Sequence, residues 1–134
     1  GMLDRGYGRI VTISSGAASR PSAGWTAYAA GKAAIVQMTR SLALELEGTG
    51  VTANAFNPGY MDTDMQERIR RTSTADFPRS DEYRAAQREG KLKDPKEPAR
   101  AVAYLALPST QRNGEALEFS DEALQRAVRE TLGA

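Results

Sequence analysis

Cysteine and histidine are both missing from the 134 residues of this chain. The first absence excludes disulfides and thiolate chemistry. The second removes the commonest metal ligand and the usual general base at neutral pH. Proton transfer therefore falls to tyrosine, lysine or a carboxylate, and no metal site is expected. An excess of charge is lacking too, because 18 Lys and Arg stand against 17 Asp and Glu, a formal net charge of +1. That balance gives no case for nucleic acid or an acidic partner. No run approaches the apolar length of a membrane span and no signal peptide opens the chain, so no membrane partner is expected and the cytoplasm is the expected compartment. Gly1-Met2 reads as an extra glycine ahead of a start methionine. Also absent is a glycine-rich turn between a strand and a helix, the device that seats a pyrophosphate. The nearest formal match, Gly48-Thr49-Gly50-Val51-Thr52-Ala53, follows a helical stretch and precedes a strand. That order is the reverse of the one required, and the segment reads as a helix end and turn.

The informative stretch is Gly8–Lys32, GRIVTISSGAASRPSAGWTAYAAGK. Ile10, Val11 and Ile13 form a short β-branched run before the Ser14-Ser15-Gly16 turn, as expected of a parallel strand (about 9–14) covered on both faces. Gly16–Gly24 is a loop of small residues with Pro21, suited to lining a pocket. From Thr26 the composition turns alanine-rich, which predicts a helix to about Glu47. Tyr28 and Lys32 then stand at i and i+4, roughly 6 Å apart along the axis and on one side. Ser15 lies where strand gives way to loop, at the carboxyl end where open α/β sheets bind ligands. An ammonium held near a phenol favours the phenolate, and a serine hydroxyl can hydrogen-bond a substrate oxygen. With a hydride donor alongside, the trio is a carbonyl-reducing constellation. Spacing alone also fits an ordinary surface pair. Trp25, the single tryptophan, reads as packing at the loop-helix junction before it reads as a substrate contact.

The match extends beyond spacing. A strand ending in Ser-Ser, followed thirteen residues after Ser15 by the Tyr of YxxxK, resembles the short-chain dehydrogenase/reductase family. Asn57-Pro58-Gly59-Tyr60-Met61-Asp62-Thr63 resembles that family's PGxxxT loop after the next strand. The likeness covers about residues 4–107 and corresponds to the carboxyl half of the family. It implies that Ser15 polarises the substrate carbonyl, Tyr28 is the general acid/base and Lys32 supports Tyr28 while holding the nicotinamide ribose. Tyr28, Lys32, Pro58, Gly59, Met61 and Thr63 would bind the cofactor, NADP or NAD. Ser15, Gly16, Ala17 and Tyr60 would meet a small carbonyl or alcohol substrate. The family likeness also implies a homo-oligomer, a dimer, formed through the alanine-rich helix.

Further on, Val51–Phe56 predicts a second strand, completing a βαβ crossover. Residues 64–94 are polar, with helices near Met65–Arg71 and Asp81–Glu89; the resemblance implies a lid-like helical insertion here, a solvated hairpin covering the sheet is the plainer reading, and Met61, Met65 and Phe77 hint at an apolar pocket. Asp94-Pro95-Lys96-Glu97 is a capping box for a helix over Ala99–Leu107. Residues 113–119 fit a third strand, and Ser120-Asp121 the cap of a last helix that Val128 and Leu132 would dock onto its own subunit or onto a neighbour. The expected fold is α/β: a Rossmann-type three-layer parallel sheet truncated to about three strands with flanking helices. Residues 1–134 would form a single domain. Its first strand would present an open edge through which two copies can join into a six-stranded sheet. Three readings stay open: an NAD(P)-dependent oxidoreductase, a catalytically inactive module of the same fold acting in assembly, and the second half of a longer enzyme.

Overall fold

The computed structural model describes residues 1–133. Three strands, β1 (Gly8–Ile13), β2 (Val51–Asn57) and β3 (Ala116–Glu118), form one sheet in the order β1-β2-β3. All pairs are parallel, with Ile10 opposite Ala53, Thr12 opposite Ala55 and Phe56 opposite Leu117. The 20-residue helix α1 (Thr26–Glu45) carries the chain from β1 to β2. Helices α2 (Asp64–Arg71), α3 (Ser80–Arg88) and α4 (Lys96–Leu105) follow β2, and α5 (Glu122–Leu132) follows β3. The expected α/β architecture is the one observed.

Side chains alternate across a strand, so the register decides what each face buries. On one face, Thr12 Oγ1 donates to Thr39 Oγ1 of α1 (2.7 Å), and Thr39 passes its own proton to the Ile35 carbonyl (2.7 Å). Ala53 and Ala55 share that face and are fully buried, their small side chains allowing α1 to lie close. On the other face Phe56 and Leu117 meet Ala101 and Leu105 of α4 and Leu124 and Val128 of α5, with Val11 at the margin. Burying side chains of this size contributes roughly 1.5–3 kcal/mol each.

Several expectations need correction. β1 is only half covered and Ile13 is 43% exposed, because the strand lies at the sheet edge. α1 ends at Glu45, two residues early. The chain then turns through Gly48 and Gly50, both at positive φ, and a side chain at Gly50 would collide with the Gly6 carbonyl. α4 begins and ends earlier than expected, at Lys96 and Leu105. Its capping box does form: Asp94 Oδ1 accepts the Lys96 N–H (2.9 Å) and Glu97 Oε1 accepts the Asp94 N–H (3.3 Å). β3 spans three residues, and the segment before it is held to β2 both by backbone bonds, Gly114 N–H to the Ala53 carbonyl and Ala55 N–H to the Glu115 carbonyl (2.8 Å each), and by the side chains of Asn54 and Asn113. Leu132 is exposed, so Leu124 and Val128 dock α5.

Candidate active site

The carboxyl ends of β1 and β2 lie side by side, and the turns that follow them build one cavity of about 570 Å³. Ser14 N–H donates to the Phe56 carbonyl (2.8 Å), extending the pairing one residue past β1. Ser15 is still extended (φ −159°, ψ 156°), and its Oγ accepts the Ala17 N–H at 3.3 Å, capping a 3-10 turn over Gly16–Ala18. The acceptor side of the hydroxyl is thereby fixed while its proton stays free. At the end of β2, Asn57 Oδ1 accepts the Gly59 N–H (3.1 Å) across Pro58. Pro58 is buried and Gly59 has φ +75°, the conformation of a tight turn that only glycine takes without strain.

Helix α1 starts beneath this turn and delivers Tyr28 and Lys32 to the same cavity. Lys32 Nζ donates to the Ile13 carbonyl (2.7 Å) and lies 5.7 Å from the centroid of the Tyr28 ring. One of its three donors is thus spent and two remain. Trp25 packs edge-on against Tyr28, with ring centroids 4.2 Å apart. Met61 bridges to Lys93, which holds the strand exit in place, and Thr63 Oγ1 accepts the Gln66 N–H (3.5 Å) as the cap of α2.

The expected catalytic, cofactor and substrate residues all line this one cavity: Ser15, Gly16, Ala17, Tyr28 and Lys32 from the β1 end and α1, and Pro58, Gly59, Tyr60, Met61 and Thr63 after β2; of the apolar trio Met61, Met65 and Phe77, Phe77 lies outside its lining. Sequence reasoning missed Gln66, Ile69, Arg79 and Glu82, which line it from α2 and α3. Ile69 stands four residues after Met65 and three after Gln66 in the helix that the Thr63 cap opens, a spacing that was there to be read. Gln66 Oε1 is buried without a partner. Arg79 carries no such local signal. Its Nη1 donates to Ser22 Oγ and its Nε to Glu82 Oε2 (2.9 Å), tying α3 to the loop after β1. The hydrogen bond from Arg79 holds the Glu82 carboxyl below the ordinary range. Behind the wall, Trp25, Phe77 and Tyr83 pack together, and Tyr60 meets Tyr83 edge-on at 5.5 Å. Burial, and secondarily Tyr60, pushes the Tyr83 hydroxyl up to about 12.

The family model for short chain dehydrogenase matches residues 1–74 of this chain. The chain belongs to the short-chain dehydrogenase family. It is 38% identical over 112 residues to the 3-oxoacyl-(acyl-carrier-protein) reductase FabG of Vibrio harveyi, covering 81% of this chain and 42% of that protein. Among solved structures, a short-chain dehydrogenase/reductase from Saccharomyces cerevisiae superposes with a TM-score of 0.80 at 31% identity, covering 93% of this chain and 50% of the other. A variant actinorhodin polyketide ketoreductase solved with NADPH gives 0.73 at 34% identity, covering 89% and 48%. The chain spans about half the length of these short-chain dehydrogenases or less. Nicotinamide nucleotides are bound within the family.

Proposed function

We propose that this chain corresponds to the carboxyl half of a nicotinamide-dependent short-chain reductase, which interconverts a carbonyl and an alcohol with Tyr28 as general acid/base. The observation that carries this reading is the gathering of Ser15, Tyr28 and Lys32 around one cavity with the Pro58-Gly59 turn. The cavity suits a nicotinamide riboside. Pro58 and Gly59 offer a wall without long side chains, Lys32 keeps two donors for ribose hydroxyls, and Gln66 Oε1 is an unused buried acceptor for an N–H or O–H. Tyr28, Lys32, Pro58, Gly59, Met61 and Thr63 would hold NADP or NAD, which supplies hydride when bound. Ser15 Oγ–H donates to the substrate carbonyl oxygen, with Gly16, Ala17 and Tyr60 around it. Tyr28 passes its hydroxyl proton to that oxygen as the new C–H bond forms. The Lys32 ammonium stabilises the resulting phenolate, and solvent returns the proton. Alcohol oxidation runs the same transfers backwards.

Tyr28→Phe tests this. With NADPH or NADH and a panel of ketones, its kcat/KM is expected to fall about 10²–10⁴-fold. Its melting temperature should not change, because no hydrogen bond among the described residues uses the Tyr28 hydroxyl. Unchanged turnover would overturn the assignment. A second reading, a module of the same fold that works in homo-oligomeric assembly, is favoured by the free edge of β1. Nicotinamide titrations that show no binding up to millimolar concentration would put that reading first.

A further inference from the structure

A second cavity, of about 760 Å³, opens beside the first. The two share Arg20, Asn57, Gly59 and Tyr60, so the cavities adjoin along the Gly59-Tyr60 turn. The linings differ in character. The first carries aromatic and small side chains with Arg20, Lys32 and Arg79, whereas five cations reach the second from three separate segments: Arg20 after β1, Lys91 and Lys93 before α4, and Arg126 and Arg129 on α5. Two carboxylates, Glu118 and Glu122, face them. Among the described residues, Lys91 pairs with Glu89, whereas Arg20, Lys93, Arg126 and Arg129 have no ion-pair partner. In a chain whose formal net charge is only +1, this is a concentration of unneutralised positive charge.

The frame that holds these cations is well fixed. Lys93 N–H donates to the Tyr60 carbonyl (3.0 Å), the Asp62 N–H donates to the Lys93 carbonyl (2.9 Å), and Lys93 Nζ lies 5.3 Å from the Phe119 ring centroid. Gln125 Nε2 donates to the Phe119 carbonyl (2.8 Å), joining α5 to the end of β3. The N-terminus of α5 is not what attracts charge here, since Asp121 Oδ1 already accepts the Ala123 and Leu124 N–H groups (2.9 and 3.2 Å). The side chains carry the field, and a concave wall of like charges focuses it.

We infer that this cleft binds an anionic tail, a phosphate or carboxylate, of the substrate whose carbonyl lies in the first cavity. Part of this inference, the placing of the carbonyl, rests on the reductase reading, but the anion site can be measured without it. The probe is inorganic pyrophosphate, titrated into the full chain at 150 mM salt and followed by ¹H–¹⁵N NMR. Saturable shifts are expected at the Lys93, Phe119, Ser120 and Arg126 signals. The double variant Lys93→Gln/Arg126→Gln should weaken binding at least about tenfold, while Arg68→Gln, an exposed cation elsewhere, should leave it unchanged. Shifts spread evenly over surface cations, or a double variant that binds as the parent does, would overturn the site. Repeating the titration with NADPH identifies the source of the anion. Cleft shifts that persist beside bound NADPH support a substrate tail, and displacement by NADPH would make the cleft a cofactor-phosphate site and overturn the proposal. Cleft binding with no NADPH binding at all would remove the reductase reading and leave the anion site standing.

Discussion

Asn54 adds side-chain bonds to the backbone ladder between the second and third strands. It is 1% exposed in the middle of β2, donates from Nδ2 to the Arg112 carbonyl (2.8 Å) and accepts the Glu115 N–H at Oδ1 (3.1 Å). Asn113 returns the favour by accepting the Ala53 N–H (2.9 Å) and donating to the Ala43 carbonyl (3.1 Å). These bonds reinforce two backbone bonds of the same segment, Gly114 N–H to the Ala53 carbonyl and Ala55 N–H to the Glu115 carbonyl (2.8 Å each). Asn54→Ala removes two of the side-chain bonds and strands two backbone groups, and its expected cost is roughly 2–4 kcal/mol. Thr52 sits two residues earlier on the same face with a buried Oγ1 that has no partner. Thr52→Val therefore loses no hydrogen bond and is expected to be neutral or slightly stabilising. Urea unfolding of both variants checks the contrast, with the shift read in the midpoint at constant slope. If Asn54→Ala costs no more than Thr52→Val, the side-chain bonds add nothing to the hold on β3.

The elements show which features are legible in a sequence. Ser15, Tyr28 and Lys32 were readable because each position is set locally, by a strand end and by i, i+4 spacing on one helix, and the Pro58-Gly59 turn and the Asp94 cap are equally local. Asn54 was not readable, since its partners lie 58 and 61 residues away, and neither was the choice of Leu124 over Leu132 as the docking residue of α5. The two helices of residues 64–94 are legible in the sequence, but what holds them is not. Arg84 donates to the Arg70 and Thr72 carbonyls (2.9 and 2.7 Å), and Phe77 and Tyr83 insert against Trp25. Tyr83 makes this packing titratable. Its folded-state value of about 12 exceeds the ordinary value of 10, so between these limits the unfolded chain has released a proton that the folded chain keeps. Stability contributed by neutral Tyr83 is complete below pH 10 and is lost as pH rises towards 12, by on the order of 2 kcal/mol. Tyr83→Phe should remove that part of the alkaline loss. The fluorescence of Trp25, which packs against Tyr83, gives a local readout as α3 loosens.

At the scale of the whole molecule the unsolved surface is the outer edge of β1. Ser14 N–H points to β2, and alternate residues of a strand point their N–H groups the same way, so the N–H groups of Val11 and Ile13 point outward. Lys32 occupies the outward Ile13 carbonyl, but among the described residues β1 has no strand partner on that side. Ile10 and Val11 are only half buried there. An unpaired edge in register with a firm sheet is a template for another strand, and although Arg9 puts one charge on it, neither a bulge nor a proline interrupts Gly8–Ile13. Two copies joined along β1 would form one six-stranded sheet and cover both edges at once. Light scattering is therefore expected to give twice the chain mass. Val11→Pro removes one outward N–H while leaving the bonds to β2 in place, and it should shift the species towards the chain mass without unfolding it. A monodisperse parent monomer would end this account of the edge. A dimer that ignores Val11→Pro would move the contact to the exposed side of α1, where Met38 and Leu44 are 55% and 69% accessible.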